Sequence, residues 1–200
     1  MEITVTTTTS ASTPPRGSAR ERLLEAANEL FYAEGVQSVG IDRIIERAGV
    51  AKASLYNVFG SKEELVAAYL ASRHEATVDR LTAAMSKVDE PRAKIMAIFD
   101  AQAKLFRTPD FNGCAFTSAS TEAPAGGLVE KATDDFRARI RSTFVTLARE
   151  ARATDPVMLG RQLHLLYDGA GLAARMDHHD RSVATSTRLA AQTLLDSSLS

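Results

Sequence analysis

Between Gly49 and Lys62 the chain gathers side chains suited to a nucleic-acid surface. Lys52 carries a cation for a phosphate or a guanine edge, and Asn57 offers the paired donor and acceptor that match adenine. Ala53 and Val58 are small apolar groups that can meet a thymine methyl. The Tyr56 hydroxyl suits a phosphate, a contact that positions a protein without reading sequence. Lys62 falls in the first turn of a following helix, where free N–H groups and the helix dipole favour an anion. Leu55 and Phe59 are spaced i, i+4 and mark an inward face, which turns Lys52, Ala53, Tyr56 and Asn57 outward. Ser54 on the same helix and Gly40 at the start of the preceding one complete the candidate DNA-binding set.

A helix that short needs a platform. Ser18 and Glu21 form a capping box that opens a helix, with Leu23, Ala26, Ala27, Leu30 and Phe31 at helical spacing and Gly35 past its end. A second helix is expected from about Gly40 to Arg47. Gly49 breaks it, taking a backbone angle closed to residues with a Cβ. The third helix spans about Lys52 to Phe59. Gly60 stops it, and Ser61 with Glu64 forms a second capping box opening helix four. Two helices joined by a tight glycine turn are a helix-turn-helix, whose second helix lies in the major groove.

The run from Leu24 to Leu65 resembles, densely and without gaps, the DNA-binding domain of the TetR family of transcriptional regulators. The resemblance implies a homodimeric repressor with an N-terminal three-helix DNA-binding domain and a larger helical domain that binds a small effector. It also implies DNA-backbone contacts at Lys52, Tyr56 and Lys62. Val58 departs from the family pattern, which often has His there. The segments around Gly113 to Glu122 and Asp155 to Ala170 resemble the C-terminal domain of one subgroup.

The expected organisation is a disordered arm over 1–17, a DNA-binding domain over 18–62, and a ligand-binding and dimerisation domain over 63–200. The class is all-α, with about nine helices, because no alternating strand pattern occurs. Helix four is expected to run to about Lys87. Pro91 opens a fifth helix, 108–127 is irregular or short-helical, and further helices run over 128–152, 156–176 and 181–195. Leu159, Leu163, Leu166 and Ala170 share the 156–175 segment with Gly169 and Gly171. Each helical glycine costs roughly 1 kcal/mol against alanine, which points to close helix packing. With the 182–197 helix this suits either a dimer interface or the protomer's own core; the resemblance favours the dimer.

Candidate effector-binding residues are Phe99, Gln102, Phe106, Phe116, Thr117, Glu122, His164, Tyr167 and Asp168, with Phe111 beside them. Aromatics at helical spacing serve equally as core. His164 and Asp168 are i, i+4 and suggest a local hydrogen bond. Cys114 follows a glycine and could act as an oxidant sensor or as a buried small hydrophobe.

Composition closes other routes. A single cysteine allows no intrachain disulfide and suits a reducing, cytoplasmic setting. No apolar run could span a membrane, and the first residues do not form a secretory signal. The net charge is −1, and residues 1–62 hold seven basic and seven acidic side chains, so DNA affinity must come from placement. An enzyme would need a nucleophile, base and orienting group, and Cys114 with His164 is the sole conceivable pair. His178 and His179 between two aspartates lack metal-site spacing, so no metal or cofactor is expected. The partners expected are operator DNA, a small effector and a second copy of the chain. A DNA-binding activator or architectural protein without effector is the alternative.

Overall fold

The computed structural model describes residues 17–177, 180 and 182–199. The N-terminal arm, save Gly17, and the His178–His179 pair lie outside the described residues. Among those described there are nine α-helices and no strand: α1 Ala19–Glu34, α2 Ile41–Ala48, α3 Lys52–Phe59, α4 Lys62–Met85, α5 Pro91–Leu105, α6 Ala115–Glu122, α7 Leu128–Glu150, α8 Pro156–Met176 and α9 Ser182–Ser198.

Local chemistry sets most of these bounds. The Ser18–Glu21 capping box is complete in both directions. Pro91 and Pro156 sit in first turns, where a missing N–H breaks no helical bond. At α4 only half of the expected box forms: Ser61 accepts from Glu64 N–H, and no return bond from Ser61 N–H to the Glu64 carboxylate accompanies it. The irregular stretch contains α6, whose N-cap Cys114 makes no side-chain cap bond.

The first three helices close on Leu23, Ala27, Phe31, Ile44 and Leu55, all at most 2% exposed. Leu65 and Tyr69 extend this core onto α4, with Tyr69 edge-on to Phe31 at 5.5 Å between centroids. α4 therefore belongs to both halves of the protein. Beyond it, α5, α7, α8 and α9 pack together around Ile98, Phe99, Phe144, Leu163 and Leu195.

Two expectations for α8 change. Leu159, Leu163 and Ala170 are buried inside the protomer, so they are core rather than dimer face. The close approach occurs at Gly160, where an added Cβ would lie 2.5 Å from Val145 Cγ2 and 2.8 Å from its backbone. Gly169 faces open space within the protomer. The exposed apolar stripe of α8 is Val157, Met158, Leu165, Leu172 and Met176, with Leu189 exposed on α9.

Candidate nucleic-acid interface and the cavity behind it

The turn before α3 is built on Gly49, at φ 62° and ψ 44°, the left-handed region. A side chain there would cost about 1–2 kcal/mol. Gly49 N–H donates to Glu46 O and Val50 N–H to Ile45 O, which closes the end of α2 and aims α3. Leu55 is fully buried and Phe59 half-buried, with the Arg20 guanidinium 5.5 Å above the Phe59 ring. α3 is thereby pinned by one face, and the opposite face is free.

That free face carries Lys52, Ala53, Tyr56 and Asn57, all exposed; Tyr56 keeps 45% of its surface. Ser54 is half-buried and Val58 lies at the exposed margin. Gly40 is the exposed N-cap of α2 and has open space around it. Lys52 Nζ lies 2.9 Å from Asp42 Oδ1. The hydrogen bond to that carboxylate raises the Lys52 pKa, so the ammonium stays charged. One of the Lys52 donors is thus committed to Asp42. Lys62, expected to hold a phosphate from the first turn of helix four, is the first residue of α4. It is half-buried, with Nζ 5.9 Å from the Phe31 ring centroid. Burial lowers its pKa, and the Glu122 carboxylate acts the other way.

Behind this unit, α4, α5, α6, α7 and α8 line a partly open cavity of about 150 Å³. Phe116 forms part of its wall, stacked on Phe136 at 3.9 Å and nearly parallel. Gln102 is 4% exposed and donates through Nε2 to Tyr167 O at 2.8 Å. Tyr32 of α1 also lines the cavity. Its hydroxyl donates to Gly113 O at 3.1 Å and accepts from Asn112 N–H at 2.9 Å. Asn112 Nδ2 donates back to Tyr32 O and Ala33 O. A second tie lies at the end of α6, where Glu122 accepts from Gln37 N–H at 2.7 Å. Gln37 Nε2 in turn donates to Glu122 O at 3.3 Å.

Comparison with known proteins matches this architecture. The model for bacterial regulatory proteins of the tetR family covers residues 23–69. The crystal structure of a TetR-family transcriptional regulator from Streptomyces coelicolor is 33% identical and superposes with a TM-score of 0.86. The match covers 91% of this chain and 90% of that one. This chain belongs to the TetR family.

A TetR regulator from Streptomyces avermitilis is also similar, at 33% identity and a TM-score of 0.82, over 91% of this chain and 98% of that one. The transcriptional activator FasR of Mycolicibacterium smegmatis is 37% identical over 87 residues, 44% of this chain and 40% of that protein. The chain thus aligns with less than half the length of that relative. TetR-family proteins are DNA-binding transcriptional regulators, not enzymes. Among the described residues of this regulator, no helix is long and apolar enough to cross a membrane.

Six of the effector candidates line this cavity: Gln102, Phe106, Phe116, Thr117, Tyr167 and Asp168. Three do not. Phe99 is core, stacked on Phe144 at 5.7 Å and edge-on to Tyr167 at 6.4 Å. Glu122 is spent on Gln37 at the junction with the DNA-binding unit. His164 is 3% exposed and outside the wall. Its expected hydrogen bond to Asp168 is absent, for Nε2 stands 3.5 Å from Asp168 Oδ2 and has no hydrogen-bond partner. Burial lowers the His164 pKa, against the opposing pull of Asp168, so the ring is neutral at pH 7. Asp168 instead lies 2.7 Å from Arg137 Nη1.

Sequence reasoning missed Tyr32, Arg73, Asn112 and Arg80 as cavity residues. A signal existed for part of this set. Arg73, Thr77 and Arg80 recur at i, i+4 and i+7 and form one polar stripe along α4. Tyr32 carried no such signal, because its position depends on how α1 meets the 112–113 loop.

Proposed function

We propose that the chain acts as a homodimeric repressor released from its operator by a small, largely hydrophobic ligand in the helical-domain cavity. One observation carries this reading. Tyr32 belongs to the DNA-binding unit, lines the cavity, and is hydrogen-bonded to the loop that forms another part of the wall. A ligand that displaces the 112–113 loop must move or release α1. The ligand works as an inducer only if it binds the operator-competent and released states with different affinity.

On the DNA, Lys52, Ala53, Ser54, Tyr56, Asn57 and Gly40 are assigned to the interface, with Lys62 swinging outward to reach a phosphate. The second copy docks along α8 and α9. Five exposed apolar residues on one helix are more than a monomer normally leaves bare, and an isologous contact would cover them. Pairing places two α3 helices for successive major grooves, about 34 Å apart. The regulator works in the cytoplasm, where its operator is.

A gel shift on an operator fragment, with and without ligand, tests the reading. Release of the fragment by a compound that binds the cavity supports it. An operator-bound fraction unchanged by tightly binding compounds refutes the ligand switch. The relative FasR is named an activator, so promoter output is read alongside; increased transcription on binding would replace repression with activation.

A further inference from the structure

The cavity is not neutral. Arg73 and Arg80 of α4 and Arg175 of α8 all contribute to its wall. Among the described residues, none of these guanidiniums has a carboxylate within 4.0 Å. The one acid on the wall, Asp168, already lies beside Arg137. Arg73 Nε and Arg80 Nε are shut off from solvent and have no hydrogen-bond partner, although each guanidinium also interacts with a tyrosine hydroxyl, Arg73 with Tyr69 and Arg80 with Tyr167. An unmet donor on a cation is costly to bury, so something normally answers it.

Gln102 adds an independent mark. It is 4% exposed and its Nε2 is committed to Tyr167 O, which fixes the amide. Its Oε1 has no partner. Just beneath the wall lie two unanswered cationic donors and one unanswered neutral acceptor, and the Asp168 Oδ2 beside them is paired with Arg137 but likewise makes no hydrogen bond. The rest of the wall includes the aromatic rings Phe106, Phe111, Phe116 and Phe136. The volume of about 150 Å³ resembles that of an apolar cavity that accepts benzene, so one ring fits.

We propose that the effector is a small aromatic carboxylate bearing a hydroxyl, of about one ring. The carboxylate takes the Arg73–Arg80 donors, the ring lies among the phenylalanines, and the hydroxyl donates to Gln102 Oε1. Arg73 is stacked 3.8 Å from the Tyr32 ring centroid, so a carboxylate on Arg73 would act directly on the residue that joins α1 to the cavity. This inference deepens the effector reading above and rests on the same cavity.

The test uses the full chain and four probes of one ring: 4-hydroxybenzoate, benzoate, benzamide and benzylamine. Binding is measured by titration calorimetry and operator release by gel shift. The expected order is 4-hydroxybenzoate tightest, then benzoate, with benzamide weaker than benzoate by at least about tenfold, the scale of a charge-assisted hydrogen bond. Benzylamine is expected not to bind. Arg80→Gln, confirmed folded by its melting curve, should abolish the preference for benzoate over benzamide. Equal binding of benzoate and benzamide, tighter binding of benzylamine, or no binding by either acid overturns the inference. Acid binding that leaves the operator complex intact upholds the ligand class and refutes the switch. Operator release by a neutral compound alone does the reverse.

Discussion

Replacing Tyr32 with phenylalanine removes one oxygen atom and isolates the link between the two halves of the protein. The ring stays, and with it the stacking of Arg73 at 3.8 Å. Two hydrogen bonds go: the one to Gly113 O and the one from Asn112 N–H. Both partners sit in a partly buried loop, so each loses its protein partner while keeping some access to water. Leaving a buried polar group unmet costs about 1–3 kcal/mol; these two groups keep some access to water, so each falls just below that range, at about 0.75 kcal/mol, or about 1.5 kcal/mol together. A chain of this size loses roughly 2–4 °C of Tm per kcal/mol, which gives a fall of about 3–6 °C. The functional effect should exceed the thermal one. Coupling between effector and operator sites typically amounts to about 5–150-fold in affinity. The ratio of operator Kd with and without effector should drop several-fold in Tyr32→Phe, while operator Kd without effector changes little. The assay is a labelled-operator titration at saturating and zero effector, with a thermal melt on the same samples. A lowered Tm with an unchanged coupling ratio would refute the role given to Tyr32.

Other outcomes follow from the same structure. Asp42→Asn should free Lys52 and tighten operator binding a few-fold; an affinity equal to or below wild type would show that Asp42 does not compete with DNA. Lys52→Gln, if Lys52 holds one phosphate per half-site, should flatten the plot of log K against log salt by about 0.9 per protomer, and a parallel plot would remove the phosphate contact. Gly160→Ala forces a Cβ to within 2.8 Å of the Val145 backbone and should lower Tm well beyond the Tyr32→Phe change; calorimetry showing no loss would contradict the α7–α8 packing. Burial lowers the His164 pKa in the folded chain, whereas in the unfolded chain the ring takes up a proton near pH 6.5. Its contribution to stability is therefore intact above that pH and falls as pH drops below it, by up to about 1.4 kcal/mol per unit. His164→Gln should remove that share of the slope in melts between pH 5 and 7.5, and an unaltered slope would locate the titration elsewhere.

The helix bounds were legible because their causes are local. Ser18 with Glu21, Gly49 at positive φ, Gly60, Pro91 and Pro156 each act within one turn of where they stand. The outward face of α3 followed from Leu55 and Phe59 by the same short-range geometry. α6 was legible only as an irregular stretch, since eight residues give too few turns for a clear period and Cys114 makes no cap bond. The face of α8 was misread for a different reason. Leu159 and Leu163 and the exposed Leu165 and Leu172 are chemically alike, and only the placement of α7 and α9 decides which pair is covered. The cavity depended most on tertiary structure. Its arginines come from α4 and α8, about a hundred residues apart, and the surroundings of Lys62 include Phe31 and Glu122, neighbours that its own helix does not supply.

The central claim is that α3, presented twice by a two-fold dimer, reads DNA. Selection of binding sites by the full chain from random-sequence duplexes tests it most directly. The account predicts an enriched inverted repeat with half-sites centred about one helical turn apart. It also predicts that Asn57→Ala relaxes the sequence at one position per half-site, while Tyr56→Phe weakens binding without changing the motif. A motif without two-fold symmetry, or one unchanged by Asn57→Ala, would contradict it.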